Sequence, residues 1–186
     1  MKPLLSFFLL CVLCAFLSLL ACSGDDPSPI EQLPPATQTG AETIGCLING
    51  KAFTPKGAFL GPPSRGSSYQ FIYNDGDSFF NFQVFARHLP DPFQSVYMNV
   101  IFQNFEDLQE DRVYFLGDII LHKGQAGYGN ASIEIYETNS QHTGTLTITH
   151  YDYDNRIVSG TFEFEVEVDG EVLKVTDGRF DMTFTI

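Results

Sequence analysis

The chain of 186 residues has no tryptophan, three methionines, and ten basic residues against 23 acidic ones. Its formal net charge is −13 at pH 7. A surface this acidic repels the phosphates of nucleic acids and anionic lipid head groups, so we predict no nucleic-acid partner. The shortage of basic residues does not restrict the binding of sugars, peptides or apolar ligands.

Cysteine is scarce in the part of the chain that we expect to fold. Of four cysteines, Cys11, Cys14 and Cys22 lie near the N-terminus, and only Cys46 follows them. One remaining cysteine cannot form an intramolecular disulfide, so the fold must be stabilised by packing. Cys46 lies in the apolar run 44–48, and we expect a small buried hydrophobic residue rather than a reactive thiol.

The usual sequence signals of catalysis are also missing. The chain lacks a Gly-x-Ser-x-Gly motif, and no two of its histidines have a spacing typical of zinc ligands. The acidic run 152–155 is predicted to be a turn rather than a calcium site. The glycine-rich run 124–129 precedes no helix, so it is predicted to be a loop and not a phosphate cradle. We therefore predict no catalytic residue, no metal and no cofactor.

Three carboxylates, Glu163, Glu165 and Glu167, alternate along one predicted strand. Neighbours on one strand face are about 7 Å apart, a separation found in inverting glycosidases. An open row of acids, however, provides no pocket that could raise the pKa of one of them. We predict that this row is a solvated strand face.

The first residues have the pattern of a lipoprotein signal peptide. Lys2 supplies positive charge, an uncharged apolar run occupies 4–20, and Ala21 and Cys22 follow. The run is short for a membrane span, which needs about 20 residues, and its flanks suit cleavage better. We predict that residues 1–21 are removed and that Cys22 carries acyl chains such as palmitate, which anchor the protein in a membrane.

Residues 22–42 are rich in Pro, Ser, Thr, Asp and Gly. This composition does not bury enough apolar surface to fold, and prolines favour extended polyproline II at roughly 3 Å per residue. We predict an acylated flexible tether over 22–42, which would hold a domain on the order of 60 Å from the membrane.

From residue 43 onward, apolar and polar residues alternate with period two, which predicts half-buried antiparallel strands. Glycine-containing turns such as Asn49-Gly50, Asp169-Gly170 and Asp177-Gly178 separate them. Short strands at this spacing are typical of sandwiches and barrels. We predict one all-β domain over 43–186, an antiparallel β-sandwich or a calycin-like barrel with about 8–11 strands.

Two neighbouring strands predicted at 79–87 and 95–103 have an unusual second face. Their even-numbered residues are apolar and should point to the core, which places aromatic rings on the outside with amides and one arginine. The strand at 156–168, by contrast, has only Thr and Glu on its outer face. Rings among amides are typical of recognition surfaces, unless a loop (57–68 or 124–129) covers them. The predicted ligand-binding residues are Phe79, Phe85, Tyr97 and Ile101.

Two stretches of the chain carry a family resemblance. One consists of LPPATQTG at 33–40, GCLINGK at 45–51 and PKG at 55–57; the other consists of RIVSGTFEF at 156–164 and VTDGRFD at 175–181. Together they resemble an uncharacterised family of small lipoproteins from Bacteroidota, a domain of unknown function. The resemblance implies an outer-membrane or periplasmic setting and a mostly β domain, and it carries over no binding residue. Asp25 and Asp26 also resemble signals that send such lipoproteins to the cell surface.

These observations predict a membrane-anchored exported lipoprotein with a non-enzymatic binding or structural role at the cell envelope. We expect a lipid anchor on Cys22 in the outer membrane, surface exposure with the periplasmic face as the alternative, and a glycan, peptide or envelope protein as partner. Two other functions stay open. A deep cavity would favour a calycin-like binder of a small apolar ligand. A cleft joining a carboxylate pair to aromatic rings would favour a hydrolase of extracellular polymers.

Overall fold

The computed structural model describes residues 26–57, 64–74, 77–89, 93–103, 108–118, 123–130 and 134–186. The predicted signal peptide and Cys22 lie outside these residues, so cleavage and lipidation stay predictions. Within the described ranges the chain forms eleven strands and no helix. Accordingly, none of these segments provides a helix long and apolar enough to cross a membrane.

The strands form one mixed sheet with the order β6-β9-β10-β11-β3-β4-β5-β7-β8, to which β1 adds beside β11 and β2 beside β1. All pairings are antiparallel except that of β11 with β3. The strands are β1 (Thr43–Ile48), β2 (Lys51–Phe53), β3 (Arg65–Asn74), β4 (Asp77–His88), β5 (Gln94–Phe102), β6 (Val113–Leu116), β7 (Gly124–Gly129), β8 (Ile135–Glu137), β9 (Gly144–Asp152), β10 (Ile157–Val168) and β11 (Glu171–Thr185).

The sheet folds over into two packed layers and does not close into a barrel. One layer contains β1, β2, β6, β9, β10 and β11, and the other contains β3, β4, β5, β7 and β8. The long strand β11 joins them, because its last residues pair with β3. The prediction of an all-β fold is therefore confirmed, and the open sheet is consistent with the sandwich and not with the barrel. The predicted antiparallel pairing has one exception, the parallel pair of β11 and β3.

The core lies between the two layers and is filled by side chains from both. Tyr69, Phe82 and Met98 come from one layer, and Leu146 and Phe164 from the other, each at most 2% exposed. This filled interior argues against a calycin-like cavity for an apolar ligand. The prediction for the last cysteine is also confirmed, because Cys46 is fully buried in this core and desolvation raises the pKa of its thiol.

Two of the three predicted glycine turns are confirmed. Asn49 and Gly50 have φ of 48° and 77°, the left-handed values that a two-residue hairpin turn requires. Asp169-Gly170 forms the same kind of turn between β10 and β11. The prediction of a turn at Asp177-Gly178 is wrong, because these residues form a β-bulge inside β11. A Cβ at Gly178 would lie 2.5 Å from the Phe162 ring, so packing rather than chain reversal explains that glycine.

The glycine-rich run 124–129 is not the predicted loop but strand β7, paired with β5 and β8. Its even-numbered residues Ala126 and Tyr128 are buried in the core. The glycines hid this alternation, since they contribute no side chain to the hydrophobic pattern. The second candidate covering loop, 57–68, is described only in part, and its residues from Arg65 onward belong to β3.

The prediction of a flexible tether over 22–42 is wrong for the part that the structure describes, residues 26–42. Leu33 is only 7% exposed, and Pro34 packs so closely on β1 that a Cβ at Gly45 would lie 2.7 Å from its Cδ. The preceding turn is closed by Glu31, whose carboxylate accepts hydrogen bonds from the backbone and hydroxyl of Ser28. The folded unit therefore includes this segment and does not begin at residue 43.

A buried carboxylate on β11 holds the segment in place. Asp181 is fully buried and accepts hydrogen bonds from the hydroxyl of Thr37 (2.6 Å) and from the backbone N–H groups of Thr39 (2.9 Å) and Gly40 (2.8 Å). Ser159 on β10 donates another at 2.9 Å. The tether prediction failed because it considered only the apolar surface of the segment itself, whereas these polar groups find their partner in a distant strand.

Candidate functional site

The four predicted binding residues lie on the outer face of the β4–β5 pair, as predicted from their parity. The even-numbered residues Phe82, Val84 and Ala86 of β4 and Val96, Met98 and Val100 of β5 are buried in the core. Phe79, Phe85, Tyr97 and Ile101 point the other way, and all four are half-buried. This face is thus neither a second core nor a fully solvated surface.

Only two of the four line a common concavity. Phe85 and Tyr97 are direct cross-strand partners and line an open groove of about 550 Å³ on the sheet. Phe79 pairs with Ile72 and Ile101 pairs with Asn81, further along the same face. Neither belongs to the described lining of the groove.

The strand register arranges the groove residues in three rows that cross the sheet. The rows are, from one side of the groove to the other, Ser68-Gln83-Asn99-Gln125, then Gly66-Phe85-Tyr97-Gly127-Glu137, then Arg87-Ser95-Gly129-Ile135. A row of carboxamides therefore lies directly beside the aromatic row. The third row adds the guanidinium of Arg87.

Glycines on the flanking strands give the two rings their positions. The far end of the Phe85 ring lies over Gly66 on β3, where a Cβ would be 2.9 Å away from it. The Tyr97 ring lies over Gly127 on β7, where a Cβ would lie 2.6 Å from its Cζ. Because the rings lean in opposite directions from adjacent strands, the space between them stays open.

Polar contacts fix the groove walls. The Tyr97 hydroxyl donates to the Glu137 carboxylate on β8, and the side chain of Gln125 donates to its other oxygen at 3.1 Å. Burial, and then the bond to Glu137, raise the pKa of the Tyr97 phenol, so it stays a neutral donor. On the other wall, the Arg87 guanidinium lies 4.6 Å from the centre of the Phe85 ring, a cation–π contact.

The carboxamide row contains an acceptor without a partner. The side-chain oxygens of Asn99, in the groove, and of Asn81, on the next row, are buried and accept no hydrogen bond from any described residue. Leaving a buried acceptor unsatisfied costs about 1–3 kcal/mol, so such groups are rare in native structures and a functional role is one explanation for them. Because this oxygen is buried, the Asn99 carboxamide would have to rotate before the hydroxyl of a bound ligand could satisfy it.

Sequence reasoning missed the contributions of β7 and β8. Gln125 and Glu137 line one wall of the groove and Gly127 lies beneath the Tyr97 ring, yet 124–129 was predicted to be a loop. The available signal was the spacing of Ala126 and Tyr128, which are two positions apart and therefore point to the same face of a strand. No sequence signal connected Glu137 with Tyr97, because their hydrogen bond spans 40 positions of the chain.

The other candidate chemistry lies on the opposite layer. Glu163, Glu165 and Glu167 are on the outer face of β10, where Glu165 lies 2.9 Å from Lys174. Glu163 and Glu167 are exposed, as expected for a solvated strand face. Among the residues that the structure describes, no three His, Cys, Asp or Glu side chains cluster in a way that could hold a metal ion.

Comparison with protein-family models, curated proteins and solved structures found no match. The resemblance to Bacteroidota lipoproteins stays a prediction. The geometry of the groove and the N-terminal sequence are therefore the basis for assigning a function.

Proposed function

We propose that this chain is an exported lipoprotein, anchored by Cys22 in the cell envelope, whose groove between Phe85 and Tyr97 binds a ligand without altering it chemically. The observation that carries the proposal is the pair of rings held apart over Gly66 and Gly127. The volume of the groove, about 550 Å³, is within the usual range for ligand sites.

The groove has features that a purely structural surface would not need. Glycine inside a strand weakens it, because it has no side chain to pack and loses more chain entropy on folding. The unsatisfied oxygen of Asn99 is a further cost to stability. Features that lower the stability of a fold are typical of functional sites, where ligand binding compensates for them.

The binding proposal is tested with Phe85→Ala in the full mature chain, screened on arrays of glycans and peptides. We expect the wild type to bind and the variant to lose its hits, while its circular dichroism spectrum is unchanged. Thr161→Ala, on the exposed outer face of β10, is the matched control and should keep the hits. Equal binding by wild type and Phe85→Ala would contradict the proposal.

The anchor is tested separately by metabolic labelling with a palmitate analogue. We expect label on the wild type and none on Cys22→Ala, since the thiol of residue 22 is the predicted acylation site. Membrane fractionation of the two should differ in the same way. Label that persists on Cys22→Ala would refute the anchor and leave the groove untouched.

A hydrolase of extracellular polymers is a second candidate, and one observation favours it. The groove lining contains two carboxylates, Glu134 and Glu137, together with the aromatic rings. Against it, both carboxylates are exposed, whereas a general acid needs an apolar surrounding that retains its proton. The test is the release of reducing ends from a bound polysaccharide. Release by the wild type that is abolished in Glu137→Gln would support the hydrolase.

A further inference from the structure

We infer that the ligand of the groove is an uncharged saccharide, with a pyranose ring placed against Tyr97 and its hydroxyls facing the carboxamide row. This inference rests on the proposed binding function and specifies its ligand class. It follows from three properties of the groove: its aromatic wall, its set of donors and acceptors, and a floor whose strands are already paired on both sides.

Tyr97 provides the platform. Its ring is held on one side by the backbone of Gly127 and at its tip by the hydrogen bond to Glu137, so it is fixed before any ligand arrives. A fixed aromatic face is suited to the C–H face of a pyranose, and fixing it in advance lowers the entropy cost of binding. Phe85 differs, because Arg87 already lies over its ring. The two walls therefore offer one flat apolar face and one cationic edge.

The polar groups match hydroxyls better than any other ligand group. Gln83, Asn99 and Gln125 are neighbours across three strands, with Cβ atoms on the order of 5 Å apart. Each carboxamide both donates and accepts, Glu137 only accepts, and Arg87 only donates. A hydroxyl both donates and accepts, so a polyhydroxylated ring can pair with each of these groups, and with the unpartnered oxygen of Asn99 once that carboxamide rotates toward the groove.

A peptide fits the same site poorly. The strands β4, β5 and β7 that form the floor each pair with a strand on both sides, so a peptide cannot add to them as a further strand. Among the strands that line the groove, strand addition is open to a peptide only at the outer edge of β8, the last strand of the described sheet, so over the groove floor its backbone amides would have to be satisfied by side chains.

An anionic ligand is also disfavoured. Arg87 is the one cation among the described lining residues, and Glu134 and Glu137 stand in the same groove. The whole chain has a formal charge of −13, which repels phosphate, sulfate or uronate groups at long range. Charge therefore selects neutral sugars over acidic ones.

The test is titration calorimetry of the full mature chain with neutral oligosaccharides, chosen from a glycan array that also presents sulfated and uronic glycans. A peptide array is probed in parallel. We expect neutral glycans to bind, and Asn99→Ala and Gln125→Ala each to weaken binding by about tenfold through the lost hydrogen bonds. Glu163→Gln, exposed on the other layer, is the control and should bind like the wild type.

Gly127→Ala gives an independent check on the aromatic platform. The added methyl would overlap the Tyr97 ring and push it away from Glu137, without removing any ligand-contacting group. We expect glycan binding to be lost, and one-dimensional NMR shows whether the domain remains folded. Tyr97→Leu, which removes the aromatic face at a half-buried position, serves if this variant does not fold.

The outcomes separate the two proposals. Binding of neutral glycans, weakened by these substitutions, supports both. Binding of peptides or acidic glycans alone overturns the saccharide inference and leaves the binding function standing. If neutral glycans, acidic glycans and peptides all fail to bind, the saccharide inference and the proposed binding function are both overturned.

Discussion

The two outer faces of the sandwich share the same strand alternation but differ in the solvent exposure of their outward side chains. On β10, Thr161, Glu163 and Glu167 are exposed to solvent. On β4 and β5, Phe85 and Tyr97 are half-buried, because their rings lie over glycines of the neighbouring strands. Period-two patterning places a residue on the outside of a sheet, but the residues on adjacent strands decide whether it is solvated or packed into a groove.

The β10–β11 face shows a second contrast within itself. Toward the N-terminal end of β10, the N-terminal segment covers Ser159 and Asp181, which are both fully buried. Toward the other end the face is open and carries Glu165 and Lys174. The same two strands thus carry a buried polar socket, formed by Ser159 and Asp181, at one end and a solvated ion pair at the other. The socket and the ion pair should therefore differ in how much they stabilise the fold.

The largest effect is expected for Asp181→Asn. The amide removes the charge and replaces one of the two acceptor oxygens with an NH2 group, which would face the N–H of either Thr39 or Gly40 as a second donor, so the segment should detach from β11. Losing charge-assisted bonds to a buried carboxylate should reduce the free energy of unfolding by about 3 kcal/mol or more. Urea denaturation measures this. A loss no greater than that of Thr161→Ala would mean that the socket does not stabilise the fold.

The same socket predicts a pH dependence. Burial acts to raise the pKa of Asp181, but the hydrogen bonds from Thr37, Thr39, Gly40 and Ser159 outweigh it and hold that pKa well below its ordinary value. Because the pKa is lower in the folded state, the stabilisation is complete above the pKa of the unfolded state, about 3.9. It is lost as the pH falls through the pKa of the folded state. Urea midpoints between pH 7 and pH 2 should show a larger acid loss in the wild type than in Asp181→Asn.

Gly127→Ala and Gly66→Ala test the glycines that open the groove. A methyl at Gly127 would overlap the Tyr97 ring near its hydrogen-bonded tip, so the ring can move away only by losing its hydrogen bond to Glu137. At Gly66 the methyl meets only the far end of the Phe85 ring. Overpacking should cost about 1–3 kcal/mol at Gly127 and clearly less at Gly66, measured by thermal unfolding. The reverse order would show that the rings are not held as described.

Tyr97→Phe should have a smaller effect. It removes the hydroxyl that donates to Glu137 and keeps the ring over Gly127. Because Glu137 is exposed and water can replace the lost donor, the free energy of unfolding should fall by about 1 kcal/mol or less. Crystal structures of both forms would show whether the Glu137 side chain turns away, and an unmoved carboxylate would mean that Gln125 alone holds it.

Lys174→Ala should have the smallest effect. The ion pair with Glu165 is solvent-exposed, and pairs of that kind are screened by water and salt. We expect no resolvable change in the urea midpoint at physiological ionic strength. A clear loss that disappears at high salt would show that this face is more than a solvated surface.

The strands with complete alternation were predictable. In β4, Phe82, Val84 and Ala86 were assigned to the core from parity alone, and the Asn49-Gly50 turn followed from its residue types. Within the groove, Phe85 and Tyr97 were found by the same parity argument. The remaining groove residues were not, because a glycine such as Gly127 is defined by the ring that lies on it, and that ring belongs to another strand.

The sequence by itself determined the all-β class, the inward and outward sets of its regular strands, and the two-residue turns at Asn49-Gly50 and Asp169-Gly170, because these depend on residues close together in the chain. The tertiary structure decided the rest. Thr39 meets Asp181 across 142 positions and Tyr97 meets Glu137 across 40, so neither partner leaves a local signal. Whether a polar segment is a tether or part of the domain, and whether an outward ring is solvated or forms a groove, depends on which distant strand lies beside it.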